Sequence, residues 1–189
     1  MNPGLASKTF WKNKNVLVTG HTGFKGSWLC IWLERLGANV TGISLPPSTS
    51  PNLFELTSSH NLYKSVICDI RNLQTLSEQC KAADPEFIFH LAAQPLVRES
   101  YLHPIDTFSS NIMGTANILE SMRDLSNLKA AVMITTDKVY QEQAISKPYK
   151  EDDPLGGFDP YSSSKAACEI IIDSYKKSFL AEAGRDFSF

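Results

Sequence analysis

The sequence predicts an α/β fold, a doubly wound parallel sheet with helices packed on it. Three observations predict this. Short apolar runs alternate with longer stretches of helical spacing along the whole chain. The first run, Asn15-Val16-Leu17-Val18-Thr19-Gly20, opens a glycine-rich turn that leads into a helix. Polar residues collect just after the apolar runs, where parallel sheets bind their ligands.

Each element follows from its own pattern. After strand 15–20, the apolar spacing continues as a helix to Leu36, with Gly37 as a natural C-terminal cap. Residues 39–44 read as the second strand. A Pro-rich loop, 45–52, follows, and then a short helix reaching residue 60. Residues 64–68 read as strand three, 73–83 as a helix and 86–91 as strand four. Pro104 can open a helix at its first turn, and that helix is expected to run to residue 125. Residues 130–135 form strand five, 138–160 a long polar loop and 161–183 a long helix. Phe24, Trp28 and Trp32 recur at helical spacing and are expected in the core. Residues 185–189 read as the opening of another strand.

Composition narrows the class. With 189 residues, 42% hydrophobic and 20% charged, the chain can bury one core, and residues 1–189 are expected to form a single domain. The net charge of -2 and the lack of a basic stripe argue against nucleic acid as partner. The four cysteines show no metal-ligand spacing and read as buried reduced thiols, with no metal site expected. No run is long enough to span a bilayer and residues 1–14 lack an apolar leader core, so no membrane partner and a cytoplasmic location are expected.

Two motifs carry chemistry. Gly20-His21-Thr22-Gly23-Phe24-Lys25-Gly26 sits on the strand-to-helix turn. Glycines there permit a tight turn and close approach to a pyrophosphate, and the helix N-terminus adds free donors. The spacing is G-x-x-G-x-x-G rather than G-x-G-x-x-G. Tyr161-Ser162-Ser163-Ser164-Lys165 places a phenol and an ammonium on one helix face. A nearby cation favours phenolate, which makes Tyr161 a candidate acid/base. His90 reads as a packed strand-end histidine.

These segments, with His90-Leu91-Ala92-Ala93-Gln94 and Thr135-Thr136-Asp137-Lys138-Val139-Tyr140, resemble the extended short-chain dehydrogenase/reductase superfamily and its Rossmann-like fold. Within its epimerase/dehydratase family, Gly20 to Trp28, Gln94-Pro95-Leu96-Val97-Arg98 and residues 151–157 are similar to the nucleotide-sugar 4,6-dehydratases that act on CDP-glucose. Lys138 carries that distinction, because the dTDP-glucose and GDP-mannose kinds usually have Glu there.

The resemblance implies NAD as cofactor and CDP-glucose as substrate. It implies a catalytic set of Thr136, Asp137, Lys138, Tyr161 and Lys165. Tyr161 takes the proton from the sugar 4-hydroxyl, which Thr136 also hydrogen-bonds. Lys138 removes the proton on carbon 5 and Asp137 protonates the departing 6-hydroxyl. Both need a desolvated, charge-coupled site for those tasks. Cofactor contacts are implied for Gly20, Thr22, Gly23, Phe24, Lys25, Gly26, Ser44, Asp69, Ile70, Leu91, Ala92, Ala93, Thr135, Tyr161 and Lys165. Asp69 reads equally as an acid at a helix N-terminus. Gln94, Arg98 and Asn111 are implied at the substrate, with Ser100 a further possibility, and Asn111 reads equally as a surface amide.

The end of strand two, Gly42-Ile43-Ser44-Leu45-Pro46, offers neither an acid nor an Arg, so charge leaves NAD and NADP open while the resemblance favours NAD. The resemblance implies a homodimer through helices 104–125 and 161–183. It also implies that the chain stops before the last strands and the substrate subdomain. A nucleotide-sugar 4-epimerase and an inactive dinucleotide-binding module stay open as alternatives. An epimerase needs Tyr161 and Lys165 but not Asp137 and Lys138.

Overall fold

The computed structural model describes residues 8–142 and 148–180. After one helical turn, α1 (Lys8–Trp11), the chain enters β1 (Asn15–Thr19) and α2 (Phe24–Arg35). It continues through β2 (Asn39–Ser44), α3 (Leu53–Leu56), β3 (Lys64–Ile67), α4 (Leu73–Ala83) and β4 (Phe87–His90). Then come α5 (Val97–Leu102), α6 (Pro104–Phe108), α7 (Gly114–Met122), β5 (Ala130–Met133) and α8 (Pro160–Tyr175).

The five strands form one parallel sheet in the order β3-β2-β1-β4-β5. From β1 the chain winds outward to β2 and β3, then crosses to β4 and winds the other way to β5. The reversal falls between β1 and β4, where such sheets open a crevice. In register, Thr19 lies beside both Ile43 and His90, and His90 beside Met133. The carboxyl ends of four strands therefore line up.

Strand alternation divides the core in two. Leu17, Ile43, Ile88 and Ala131 face one side with Leu76 and Cys80 of α4, Ile118 and Met122 of α7 and Cys168 and Ile172 of α8. Val16, Val18 and Val40 face the other with Cys30 and Leu33 of α2, Phe54 of α3 and Tyr63. Each fully buried aliphatic side chain contributes about 1.5–3 kcal/mol. All four cysteines are free and buried, as their apolar surroundings predict.

Helix starts are written into the sequence. Asn52 accepts from the Glu55 amide, Asn72 from the Thr75 amide, and Asp159 from the Ser162 amide. Each satisfies a donor that the first helical turn leaves open. Pro160 follows Asp159 at a position where its missing N–H costs nothing.

Several expectations change. The helix expected over 104–125 is interrupted by a π turn, Ser109–Met113, and ends at Met122. A helix expected nowhere, α5, precedes it. The last helix turns to π geometry over Lys176–Leu180, and its expected continuation to 183 lies outside the described residues, as does the strand expected at 185–189. The polar loop 138–160 is tied down at Tyr140 and Leu155: Gln141 donates to the Pro154 carbonyl and Gly156 to that of Val139. Trp28 and Trp32 are each 55% exposed and Phe24 is exposed too, so these aromatics do not fill the core. Helical spacing reports a face, and here Cys30 and Leu33 occupy the inward one.

Candidate active site at the carboxyl ends of the strands

The glycine turn is held by close backbone packing. Gly20 adopts φ +79°, and a side chain there would meet the Ala92 amide at 2.8 Å. A Cβ on Gly26 would stand 2.1 Å from the Gly20 carbonyl oxygen. Only glycine lets the start of α2 lie against the end of β1 and the end of β4 at this distance. Gly23 caps α2 by position, yet no side chain accepts from the first amides of the helix. The exposed Gly23, Phe24 and Lys25 leave an open helix N-terminus, where an anion is favoured. These residues fit a dinucleotide pyrophosphate.

The turn is braced from within. Thr22 donates to the Leu45 carbonyl (2.9 Å), so Ser44, 2.8 Å away, gives its own proton to Thr22. Ser44 is buried, and only an acceptor lone pair remains for the ribose contact expected of it. Ser27 donates to the His21 carbonyl (2.9 Å). The His21 ring is fully buried, bonded to Ser65 (2.7 Å) and edge-on to Phe54 and Tyr63. Burial lowers its pKa to about 4.

At the end of β3, the Asp69 carboxylate is gripped by the Arg71 guanidinium at 2.7–3.1 Å and also accepts the Arg71 amide. The side-chain bond from Arg71 holds its pKa below the ordinary value. Asn72, not Asp69, caps α4. Ile70, expected at the cofactor, is buried in the core against Gly114, and its carbonyl accepts from Asn117. Its side chain therefore serves packing.

The end of β4 is anchored by Thr19, which accepts from the Ala92 amide (3.2 Å) while its carbonyl accepts from Leu91. His90 lies 2.7 Å from Thr19 and 3.2 Å from Thr115. A neutral ring that accepts from Thr19 and donates to Thr115 satisfies all three groups. Burial, with the Lys165 charge nearby, lowers the His90 pKa to about 3. This is the packed strand-end histidine that the sequence predicts.

Residues expected at the substrate turn out to knit the scaffold. Asn111 accepts from the Gln94 amide (2.7 Å) and donates to the Gln94 carbonyl (3.1 Å) and to Ser164 (2.8 Å). The Gln94 side chain accepts from the Leu96 amide and donates to the Leu96 carbonyl and to Thr107. Ser100 is fully buried and donates to the Val97 carbonyl. Arg98 alone of the substrate set is exposed. Asn111 sits within the π turn, and its carbonyl accepts from the Cys168 thiol. Asn111 thus joins the loop after β4 to α8, and the wide turn delivers it there.

Helix α8 brings the Tyr-Lys pair to the same rim. Asp159 accepts both the amide and the hydroxyl of Ser162, which sets the helix start one residue before Tyr161. Ser164 donates to the Tyr161 carbonyl. Lys165 is 5% exposed and its ammonium donates to the Ile134 carbonyl at 2.9 Å, just past β5. Burial holds its pKa below the usual lysine value.

Beyond Ile134, Thr135 donates to Glu169 of α8. Thr136 donates to Asp137 (3.1 Å) and accepts from the Lys138 amide (3.4 Å), opening the 3-10 turn Asp137–Val139. Asp137 and Lys138 are exposed, so the desolvation expected of them is not supplied by the described residues. They border a cavity of ≈ 270 Å³ lined also by Tyr140, Glu142, Tyr149, Phe158, Asp159 and Ser162. Among the described residues no cluster of His, Cys, Asp and Glu could hold a metal ion, and no helix is long and apolar enough to cross a membrane. Thr19, Thr107, Ser164 and Glu169 escaped the sequence reading because each acts through a partner distant in the chain.

Comparison with known proteins gives the same picture. A Salmonella typhimurium CDP-glucose 4,6-dehydratase is 46% identical over 179 residues, covering 95% of this chain and 50% of that protein. A dTDP-D-glucose 4,6-dehydratase from Dictyostelium discoideum is 32% identical, covering 88% and 41%. A crystal structure of a UDP-glucose 4-epimerase from Stenotrophomonas maltophila, with bound NAD and formylated UDP-arabinopyranose, matches with a TM-score of 0.74 at 26% identity. It covers 93% of this chain and 51% of that one. The chain spans about half the length of the curated relatives it matches. The family model for GDP-mannose 4,6 dehydratase matches residues 17–185, and with the sheet and strand-end motifs described above the chain belongs to that family.

Proposed function

We propose that this chain carries the cofactor-binding and catalytic half of a nucleotide-sugar 4,6-dehydratase that converts CDP-glucose to CDP-4-keto-6-deoxyglucose. The observation that carries the reading is the buried Lys165 ammonium, fixed to the Ile134 carbonyl beside Thr135-Thr136-Asp137-Lys138 and one helical turn from Tyr161. The 46% identity to the Salmonella enzyme supports CDP-glucose as the substrate. NAD, when bound, supplies a hydride acceptor at carbon 4 and a donor at carbon 6.

The remaining steps belong to the protein. The first amides of α2 and the Gly20–Gly26 turn bind the pyrophosphate. Leu91, Ala92 and Ala93 line the dinucleotide, and Asp69, oriented by Arg71, faces its adenosine end. Lys165 orients Tyr161, whose phenol accepts the proton of the sugar 4-hydroxyl. Thr136 holds the same oxygen. Once carbon 4 is a ketone, the proton on carbon 5 is acidic; Lys138 removes it and Asp137 protonates the leaving 6-hydroxyl. Bound substrate supplies the desolvation that the exposed Asp137 and Lys138 lack in the free protein. The products balance as CDP-4-keto-6-deoxyglucose and water, with no net oxidant consumed.

We place the protein in the cytoplasm as a homodimer joined through residues 104–125 and 161–183. The exposed Ile105, Met113 and Ile170 on that surface support the pairing.

Incubation with CDP-glucose and NAD tests the activity through the absorbance of the 4-keto-6-deoxy product in alkali. Product is the expected result, and Asp137→Asn is expected to abolish it. Interconversion at carbon 4 that survives Asp137→Asn would support an epimerase instead. No product with any nucleotide sugar would overturn the dehydratase reading for this chain.

A further inference from the structure

Two side chains of α8 reach back to the segment that leaves β5. Lys165 donates to the Ile134 carbonyl at 2.9 Å, and Glu169 accepts from the Thr135 hydroxyl. They stand one helical turn apart, on one face of the helix. Consecutive residues of the strand end are therefore gripped by a cation and an anion. From the β4 side, the His90 carbonyl accepts the Ile134 amide at 3.0 Å. Thr136, which caps the Asp137–Val139 turn, is the next residue.

Charge decides what Glu169 adds. Burial drives the Lys165 pKa down, and the neighbours that oppose this are Cys168 and Glu169. The Cys168 thiol is itself pushed up, chiefly by burial, so it stays protonated and uncharged at neutral pH. His90, on β4, is neutral as well, because burial and then the Lys165 charge hold its pKa at about 3. Tyr140, past the turn, is held above its ordinary pKa by burial and by Glu151, Glu169, Asp153 and Asp152, so it carries no charge either. Glu169 is thus, among the described residues, the negative charge that offsets the burial of the Lys165 ammonium.

We infer that Glu169 is a positioning residue of the proposed dehydratase: its carboxylate fixes the strand end through Thr135 and places a negative charge one turn from the Lys165 ammonium. The Thr136–Lys138 turn and the Tyr161–Lys165 pair then keep one register. The inference rests on the dehydratase reading above and assigns Glu169 no contact with substrate.

Two variants of the full chain separate its two tasks. Glu169→Gln keeps an oxygen for Thr135 and loses the charge, whereas Thr135→Val keeps the charge and loses the bond. Carbon NMR of ε-labelled lysine reads the Lys165 titration, with Lys165→Arg assigning the signal. Hydrogen exchange at the Lys138 and Val139 amides reads the turn, which their bonds to Thr136 close. Glu169→Gln is expected to move the Lys165 titration to lower pH and leave the exchange unchanged. Thr135→Val is expected to speed the exchange and leave the titration in place. Both substitutions are nearly isosteric, and thermal denaturation checks that the fold is kept. A titration unmoved by Glu169→Gln would overturn the inference, as would exchange unmoved by Thr135→Val. In the product assay, Glu169→Gln is expected to lower kcat about tenfold with KM little changed, and an unchanged kcat would also overturn it. No product from the unmodified chain would instead bring down the dehydratase reading, and the titration and exchange would still decide the role of Glu169.

Discussion

Two buried histidines make stability depend on pH. His21 and His90 are neutral in the fold because burial lowers their pKa values to about 4 and about 3, from 6.5. Unfolding exposes both rings, and the unfolded chain binds protons first. Their contribution is complete above the unfolded value of 6.5 and is lost as pH falls toward the folded values. Between pH 7 and pH 5 each ring accounts for about 2 kcal/mol, a window in which ordinary carboxylates barely titrate. Urea denaturation at the two pH values measures the difference. Equal stability at pH 7 and pH 5 would mean that the rings are not neutral and buried as described.

At the scale of elements, α8 shows how a cap becomes part of a site. Asp159 spends its carboxylate on the amide and hydroxyl of Ser162, and Pro160 fixes the first helical turn. This sets the register that brings Lys165 to the Ile134 carbonyl. Asp159→Ala is expected to cost about 1 kcal/mol, read by thermal denaturation, with Asp159→Asn recovering most of the loss. An alanine variant as stable as the parent would mean that packing alone sets the register. The π turn at Ser109–Met113 works alike, since it brings the Asn111 side chain to both Gln94 and Ser164.

At the scale of the whole molecule, the sheet leaves surfaces that invite partners. Tyr101, Leu102, Ile105, Met113 and Ile170 are exposed on α5, α6, the π turn and α8. The proposed dimer, through residues 104–125 and 161–183, would cover the last three of these. Light scattering after size exclusion is expected to report twice the 21.0 kDa chain mass. Ile170→Glu is expected to shift the population to monomer without unfolding it, since its side chain lies outside the core. A monomeric parent would remove the dimer from the account.

The amino-acid order by itself determined the alternation of strands and helices, the glycine turn, the Gly37 end of the first long helix and the Pro104 opening of another. These are local: a period of two or 3.6, a glycine at a tight turn, a proline at the first turn of a helix. Strand two and the helix over 73–83 came out with the bounds that the structure shows. Only the tertiary structure decided which face of a helix is inward, so Trp28 and Trp32 stand exposed while Cys30 and Leu33 fill the core. It alone separated residues that brace the site, Asn111, Gln94 and Ser100, from residues open to a ligand. An amide or hydroxyl has the same sequence signature whether its partner is the backbone or a substrate. Its partner is chosen by elements far apart in the chain, and those meet only when the sheet has formed.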